Sequence, residues 1–214
     1  MMFASRWDAG QRLGRHLLDQ GVQADVVVGL PRGGVVVAAE ISRLLQRPLR
    51  VIVVRKIGHP RQRELAVGAL AENGVLVFDE GMIGSGALPR EDLDEIIREE
   101  SERLWQYQLK FQRGAKPDFT GKIVLIVDDG LATGASAEAA ATSARNQGAS
   151  EIVIAVPVAS ENAVERLERK ADKVIALVVD PDFNSVGRYY KFFLPTADEE
   201  VLELLKGGET SGNH

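Results

Sequence analysis

One stretch, residues 124–136, concentrates residue types that bind ligands, and it reads VLIVDDGLATGAS. Its four apolar residues end in the adjacent carboxylates Asp128 and Asp129, and a short turn leads to Thr133 and Gly134. Because open parallel sheets bind ligands at the carboxyl ends of their strands, we expect the acids and the turn to face one crevice. Backbone N–H groups, hydroxyls and the positive end of a helix dipole suit a phosphate, and the acids suit paired sugar hydroxyls beside it.

A structural role is the alternative for each of these residues taken singly. Aspartates commonly cap turns, and Thr133 or Ser136 could cap the following helix. Their combination after a fully apolar strand favours a phosphate site.

Residues 30–34, Leu-Pro-Arg-Gly-Gly, form a second candidate anion site. They lie directly after an apolar segment and directly before a predicted helix. Gly33 and Gly34 are expected to expose backbone N–H groups there, and the guanidinium of Arg32 is available to an anion. A plain turn built around Pro31 is the alternative.

The basic segment, residues 55–63, reads RKIGHPRQR and contains no acid. The whole chain is acidic, with 31 Asp and Glu against 26 Lys and Arg and a formal charge of −5. A nucleic-acid partner is therefore not expected. A local island of positive charge on an acidic chain predicts one anionic ligand, and a solvated loop is the alternative.

Five short apolar segments rich in Val and Ile predict strands buried on both faces, which is typical of a parallel sheet. They are residues 26–30, 49–54, 122–127, 152–158 and 173–179. Helices are predicted between them, at residues 35–46, 136–147 and 162–170. This alternation predicts an α/β fold with a mainly parallel five-stranded sheet flanked by helices, as in Rossmann-like domains.

Two insertions interrupt the alternation. Residues 64–70 and 75–78, separated by the turn at residues 71–74, predict an inserted hairpin. Residues 89–113 show apolar side chains at helical spacing, which predicts one long amphipathic helix with a proline in its first turn. We expect this helix to pack against the sheet, and a lid or a dimer arm is the alternative.

Length and composition indicate a single domain, residues 1–214. The chain is 45% hydrophobic and 27% charged and has no cysteine. Its apolar runs are far shorter than the ~20 residues of a membrane-spanning helix, so no membrane partner is expected. Charged residues near the amino terminus do not fit a secretory peptide, so we expect a cytoplasmic protein, with a disordered tail at residues 207–214.

Residues 124–136 resemble the phosphoribosyl-diphosphate-binding motif of the type I phosphoribosyltransferases, in which four apolar residues, two acids and a Thr-Gly phosphate loop follow in this order. The resemblance implies that Asp128 and Asp129 bind the ribose hydroxyls. It also implies that the following loop wraps the 5-phosphate of the ligand. That loop consists of Ala132, Thr133, Gly134, Ala135 and Ser136.

Two further segments extend the resemblance. Arg32, Gly33 and Gly34 resemble the diphosphate loop of the family, most closely that of xanthine-guanine enzymes, which implies a non-proline cis peptide at or beside Arg32. The start of the basic segment resembles the Arg-Lys pair that opens a mobile loop in orotate and adenine enzymes. This likeness implies catalytic cations that stabilise the departing diphosphate, and the candidates are Lys56, Arg61 and Arg63.

Residues 179–190 are similar to the segment after the last strand of hypoxanthine-guanine enzymes. The similarity implies that Phe183 stacks on the acceptor base, with support from Val186. A core or dimer contact is the alternative. Those enzymes place an aspartate where this chain has Ala132, whereas its Leu-Ala-Thr-Gly resembles uracil enzymes, so the acceptor stays open.

The resemblance implies transfer of a 5-phosphoribosyl group from phosphoribosyl diphosphate to a nitrogen acceptor such as a nucleobase, releasing diphosphate, with a role in nucleotide salvage. It implies a core at residues 24–180, a small hood from residues 1–22 and 181–206, and Mg²⁺ near Asp128 and Asp129 without direct ligation. A homodimer is suggested by aromatic residues expected to be exposed, namely Tyr189, Tyr190, Phe192 and Phe193.

Two other functions stay open at this point. One is a sensor that binds phosphoribosyl diphosphate or a nucleotide and regulates a partner. The other is a receiver-like phosphorylation domain, which shares paired acids at a strand end. The receiver is disfavoured because it leaves Arg32 and the basic segment without a purpose.

Overall fold

The computed structural model describes residues 2–79, 90–112 and 117–209, which form an α/β structure with two sheets. The strands are β1 (Val26–Gly29), β2 (Leu49–Val51), β3 (Val54–His59), β4 (Gln62–Ala71), β5 (Val75–Phe78), β6 (Ile123–Val127), β7 (Glu151–Ser160) and β8 (Lys173–Asp180). The helices are α1 (Arg6–Asp19), α2 (Gly33–Leu45), α3 (Asp94–Gln112), α4 (Ala135–Asn146), α5 (Glu161–Leu167) and α6 (Asp198–Glu209). Short 3-10 turns lie at Glu72–Gly74, Arg90–Leu93 and Val186–Tyr189.

The central sheet has five parallel strands in the order β2-β1-β6-β7-β8, which confirms the predicted architecture. The prediction of a strand over residues 49–54 is wrong at its end, because β2 stops at Val51. The amide N–H of Val53 donates instead to the buried carboxylate of Glu72, at 2.7 Å. The chain leaves the central sheet at this point and enters β3.

Helices cover both faces of the central sheet, which explains why its strands are continuously apolar. Val28 and Ile126 belong to a core that α4 and α5 complete. Their neighbours Val27 and Leu125 belong to a second core with α1 and α2. Successive residues of one strand therefore face different helix layers.

A second sheet is antiparallel, in the order β3-β4-β5. Its β4–β5 pair confirms the predicted hairpin. The basic segment was expected to be a loop, and this expectation is wrong: it forms most of β3, a turn at Pro60 and Arg61, and the start of β4. The two strands pair from Val54 opposite Ala71 to His59 opposite Gln62, so backbone hydrogen bonds hold the segment as a ribbon.

Helix α3 packs mainly against this antiparallel sheet, whereas the prediction placed it on the parallel sheet. Leu93, Ile96 and Leu104 share one apolar cluster with Ile57 and Val67 of the ribbon. The regular helix begins at Asp94, after a 3-10 turn. The predicted helix ends, residues 89 and 113, lie outside the described residues.

Residues 3 and 4 meet residues 189–192 where the hood was predicted. Backbone bonds join Phe3 to Tyr189 and Lys191, and Phe192 to Ala4, at 2.7 to 3.1 Å. Helix α1, however, packs on α2 as part of the outer layer. Helix α6 packs on α2 and β2 and continues to residue 209, so residues 207–209 are helical, which corrects the predicted tail. Residues 210–214 lie outside the described residues.

No helix in the described part of the chain combines the length and the apolar character needed to cross a membrane.

We predict that Gly10→Ala destabilises the fold. Alanine normally stabilises a helix over glycine, but a Cβ at Gly10 would lie 2.8 Å from the carbonyl oxygen of Val37 and 2.9 Å from Cβ of Glu40. Separating α1 from α2 should lower the free energy of unfolding by about 1 to 3 kcal/mol, measured by urea titration. The control is Gly207→Ala, also in a helix, where nothing lies within 4 Å of the new Cβ. Equal stability of both variants and the wild type would contradict this packing.

Candidate functional site

A crevice of about 510 Å³ opens beyond the carboxyl ends of β1, β2 and β6. Its walls are residues 30–33, 53–56, 128–134, Ser136 and Ala137, with Tyr107, Val186 and Phe193. The structure thus brings the carboxylate pair, the Arg-Gly-Gly loop and the predicted phosphate loop together. Gly34 and Ala135 are buried directly behind this wall.

The loop that contains Gly33 and Gly34 lies directly against the carboxylates of Asp128 and Asp129, and these two glycines leave the space for them. A Cβ at Gly33 would lie 2.1 Å from Oδ2 of Asp129, and one at Gly34 would lie 2.8 Å from Oδ1 of Asp128. Any larger residue would push the carboxylates away. These glycines therefore do more than expose N–H groups, because they make room for the acid pair.

The phosphate loop is anchored on the end of β7. The amide N–H of Leu131 donates to Val158 O at 2.9 Å, and the amide N–H of Ser160 donates to Leu131 O at 2.9 Å. The hydroxyl of Ser160 donates to Ala132 O at 2.6 Å. Gly134 has a positive φ of 75°, which turns the chain into the first residue of α4. Thr133 and the start of α4 consequently face the crevice.

The one acid in the first turn of α4, Glu138, does not add negative charge to the anion site. Arg166 contacts its Oε2 at 2.5 Å and Lys170 contacts its Oε1 at 3.2 Å. With this buried carboxylate neutralised, the positive end of the α4 dipole is available to a phosphate.

Asp129 is held from two sides by residues distant in sequence. Nε of Arg6 donates to Oδ2 of Asp129 at 2.7 Å. The hydroxyl of Tyr190 donates to the backbone oxygen of Asp129 at 2.6 Å. Burial raises the pKa of Tyr190, so this phenol stays protonated and keeps donating.

Asp128 has the most perturbed acidity in the crevice. Burial, followed by the adjacent carboxylate of Asp129, raises the pKa of Asp128 to about 8. The positive charges of Lys56 and Arg6 and the amide N–H of Asp129, which donates to Oδ1 at 2.8 Å, oppose this rise. Asp128 is therefore mostly protonated at neutral pH in the ligand-free protein, and cations brought by a ligand would favour its ionised form.

The peptide bond between Pro31 and Arg32 is cis, which confirms the expectation for this loop. Arg32 is part of the crevice wall, and its guanidinium is directed towards Asp198 of α6, with Nη1 at 3.5 Å from Oδ1. The other oxygen of Asp198 binds Nζ of Lys110 at 2.6 Å. Helices α3 and α6 thus contribute a charge pair beside the Arg-Gly-Gly loop.

The basic segment divides into residues inside and outside the crevice. Lys56 lines the crevice, as predicted. Arg61 and Arg63 do not line it, and Nη1 of Arg63 instead contacts Glu99 at 3.1 Å. In the ligand-free protein the turn of the ribbon carries Arg61 and Arg63 beyond the crevice, and the catalytic role of the three cations stays a prediction.

Glutamates of helix α3 pair with arginines of the basic segment, which itself contains no acidic residue. Nε of Arg55 contacts the buried carboxylate of Glu100 at 2.8 Å, and its guanidinium lies 5.2 Å from the ring centre of Tyr107. Arg55 is thereby fixed at the crevice wall. Lys56 makes no ion pair within the described residues and is the more available cation.

The end of the crevice formed by Val186 and Phe193 is apolar. Val186 lines it as predicted and packs on Gly130, where a Cβ would lie 2.7 Å from the valine side chain. Phe183 lies outside this wall, where its ring stacks on Tyr189 at 5.4 Å, and its stacking on an acceptor base stays a prediction. Phe193 supplies the aromatic wall instead.

The aromatic residues expected to form an exposed dimer contact are mostly covered. Tyr190 is 5% exposed and packs on Phe3. Phe192 is 61% exposed. Tyr189 and Phe193 are partly buried, so the prediction that all four aromatic residues are exposed is wrong. The homodimer itself stays a prediction.

A family model described as "Phosphoribosyl transferase domain" matches residues 6–191. The chain belongs to this phosphoribosyl transferase family. The match includes every predicted site residue, from Arg32 to Val186. It confirms the family that the motifs indicated.

Similar proteins agree with this membership. The Mycobacterium tuberculosis (strain ATCC 25618 / H37Rv) protein named "Putative phosphoribosyl transferase Rv0571c" is 42% identical over 205 residues, which are 95% of this chain and 46% of that protein. The chain thus spans about half the length of the curated relatives it matches. A crystal structure of TT1426 from Thermus thermophilus is 41% identical, covers 96% of this chain and 98% of its own, and has a TM-score of 0.78. The AQ2163 protein from Aquifex aeolicus, 14% identical, shares the fold, with a TM-score of 0.50 over 82% of this chain and 74% of its own.

Three wall or anchor residues of this phosphoribosyl transferase domain were not found from the sequence. Arg6 and Asp129 are 123 positions apart, and nothing local marks an arginine that begins a helix as an aspartate's partner. Tyr107 belongs to the helix of residues 94–112, and its position in the apolar pattern of that helix predicts packing and not a ligand contact. Phe193 lies beyond the segment that resembles the family, and that resemblance singles out Phe183 instead.

We predict that Asp128→Asn stabilises the ligand-free protein increasingly as the pH rises. The folded protein holds the proton of Asp128 up to about pH 8, whereas the unfolded chain releases it near 3.8, so the wild type loses stability between these values. Asparagine cannot ionise and avoids this loss. Urea unfolding at pH 5, 7 and 9 should show a variant advantage that reaches at least about 1 kcal/mol at pH 9.

Asp172→Asn is the control, because its effect has the opposite sign. The amide N–H of Ile152 and the guanidinium of Arg145 hold the pKa of Asp172 below its usual value. That stabilisation is present above the unfolded pKa and is lost as the pH falls through the folded one. The Asp172 variant should therefore be weaker than the wild type at pH 7 and approach it in acid. An Asp128 variant whose advantage does not change with pH would refute the raised pKa.

Proposed function

We propose that this phosphoribosyl transferase domain transfers a 5-phosphoribosyl group from phosphoribosyl diphosphate to a nitrogen acceptor and releases diphosphate. The observation that carries the proposal is that a carboxylate pair, the start of a helix, Arg32 and Lys56 all line one crevice. Sugar hydroxyls, a terminal phosphate and a diphosphate are the three parts of the donor that these groups match.

The donor fits in one direction. The loop of residues 132–136 binds the 5-phosphate at the amino end of α4, where Glu138 is neutralised. Asp128 and Asp129 accept hydrogen bonds from the ribose hydroxyls. The diphosphate then extends towards Gly33 and Arg32 on one side and Lys56 on the other.

Catalysis in this arrangement requires no protein nucleophile. The bond between C1 of the ribose and the diphosphate oxygen breaks with its electron pair on the oxygen, and the acceptor nitrogen forms the new bond to C1. Arg32 and Lys56 stabilise the charge that develops on the leaving oxygen, and the carboxylate pair holds the sugar in line. The acceptor's proton is released to water.

Mg²⁺ is proposed to enter with the donor. This ion prefers oxygen ligands, keeps several waters and is commonly bound through substrate phosphates. The described residues contain no cluster of three or more acidic or histidine side chains able to enclose it. The donor's own oxygens and waters would supply its ligands, with Asp128 and Asp129 nearby, and the ion would supply further charge neutralisation at the diphosphate.

A planar nitrogen heterocycle is the proposed acceptor. Val186 and Phe193 make the crevice apolar at the end where the acceptor must approach C1. An aromatic wall binds flat rings by stacking. The side chain of Ala132 cannot take a proton from the incoming heterocycle. The nitrogen of that heterocycle must therefore be nucleophilic without help from a carboxylate at position 132.

Titration calorimetry with phosphoribosyl diphosphate and Mg²⁺ tests donor binding. Replacing Asp128 and Asp129 by Asn should weaken binding by ~1 to 3 kcal/mol for each lost charged hydrogen bond. Asp172→Asn, which also disrupts an arginine pair but lies far from the crevice, should bind as the wild type does. Diphosphate release should then be measured across purines, pyrimidines and small amines. Donor binding without release from any acceptor would favour the sensor, and no donor binding would refute the site.

Lys56→Met and Arg63→Met test the division of the basic segment. We expect Lys56→Met to lower kcat by about 100-fold, since it removes a cation from the leaving group. Arg63→Met, which breaks only the pair with Glu99 outside the crevice, should keep kcat within about twofold. An equal loss in both variants would mean that the ribbon closes over the donor and that the three-cation prediction holds.

A further inference from the structure

The guanidinium of Arg6 is largely buried and contacts Asp129, Leu194 and Phe193 beside the carboxylate pair. Its Nε contacts Oδ2 of Asp129 at 2.7 Å, and its Nη1 donates to Leu194 O at 2.7 Å. Its guanidinium carbon lies 3.8 Å from the ring centre of Phe193. The side chains of Arg6 and Asp129 are only 12% and 16% exposed, so water screens this pair weakly.

The guanidinium acts from behind the crevice. Arg6 is not part of the crevice wall, whereas Asp129 and Phe193 are. A Cβ at Gly33 would also lie 2.7 Å from Nε of Arg6, which places the arginine against the Arg-Gly-Gly loop. Arg6 therefore contacts three parts of the wall without occupying the space of a ligand.

We propose that Arg6 is a positioning residue that fixes Asp129 for recognition of a sugar hydroxyl, an inference that rests on the proposed function. The bond from Nε occupies Oδ2 and leaves Oδ1 as the oxygen for the ligand. A charge-assisted hydrogen bond of this kind fixes the direction of the carboxylate. Without it, the charge of Asp129 would have no partner and would repel a phosphorylated ligand.

Arg6 is not needed to join the amino-terminal residues to residues 189–192. These two segments are already joined by backbone bonds, from Phe3 N to Tyr189 O at 2.7 Å and from Lys191 N to Phe3 O at 2.8 Å. The ring of Phe3 also packs on Tyr190. Loss of the Arg6 guanidinium leaves these contacts in place, so the fold should survive its removal.

Arg12 on the same helix is a matched control. Its Nε contacts Asp8 at 2.9 Å, and its guanidinium lies 5.7 Å from the ring centre of Phe3. It thus makes an aspartate pair and an aromatic contact like those of Arg6, away from the crevice. Arg12→Met removes the same charge from α1 without touching Asp129.

The test compares the affinity for ribose 5-phosphate with that for its 2-deoxy and 3-deoxy analogues, by calorimetry on the full chain. The wild type should prefer ribose 5-phosphate over at least one analogue by about 10-fold or more, the value of a charged hydrogen bond. In Arg6→Met the preference should fall to about twofold. Arg12→Met should keep it, and Arg6→Lys, which retains the charge but not the planar fork, should be intermediate. Inorganic diphosphate, which has no hydroxyl for Asp129, should lose far less affinity in Arg6→Met.

Each outcome decides a different point. A folded Arg6→Met that keeps the full hydroxyl preference overturns the positioning role and leaves the proposed function intact. If Arg6→Met does not fold, an undiminished preference in Arg6→Lys overturns the role instead. A wild type that shows no preference for the hydroxyls refutes the ribose assignment of Asp128 and Asp129, and the role of Arg6 with it.

Discussion

The contact between Gly33-Gly34 and Asp128-Asp129 is the constraint on which the site depends. Two loops from neighbouring parallel strands approach so closely that a single added carbon would meet a carboxylate oxygen at 2.1 or 2.8 Å. This closeness places the acids beside the start of α2 and beside the loop that starts α4, so that one ligand can contact all three. The absence of side chains at two positions is therefore what allows a compact crevice of about 510 Å³ to hold both acidic and basic groups.

The charges around the crevice are balanced from distant parts of the chain. Arg6 of α1 neutralises Asp129, and Glu100 of α3 neutralises Arg55. What remains in the ligand-free protein is Lys56, which faces the crevice, and Asp128, whose raised pKa keeps it largely neutral near pH 7. A crevice prepared in this way is less repulsive to a polyanion than the formal charges of an Asp-Asp motif suggest.

The parts of this protein that the sequence predicted well are those encoded locally. Continuous runs of Val and Ile, such as residues 123–127, indicated buried parallel strands, and the acids and glycines that follow them indicated the ligand loops. Features that depend on tertiary packing were missed. The basic segment became a ribbon because β4 and α3 cover it, and its balancing acids lie more than 30 positions away. Phe193 replaced Phe183 at the wall because Phe183 stacks on Tyr189, a choice that no motif encodes.

The most direct test of the account is a crystal structure of the chain with ribose 5-phosphate bound. Phosphate oxygens should lie within about 3 Å of the backbone N–H groups of residues 133–136, and ring hydroxyls at hydrogen-bond distance from both Asp128 and Asp129. A phosphate seated instead on the Arg-Gly-Gly loop, or carboxylates turned away from the sugar, would contradict it.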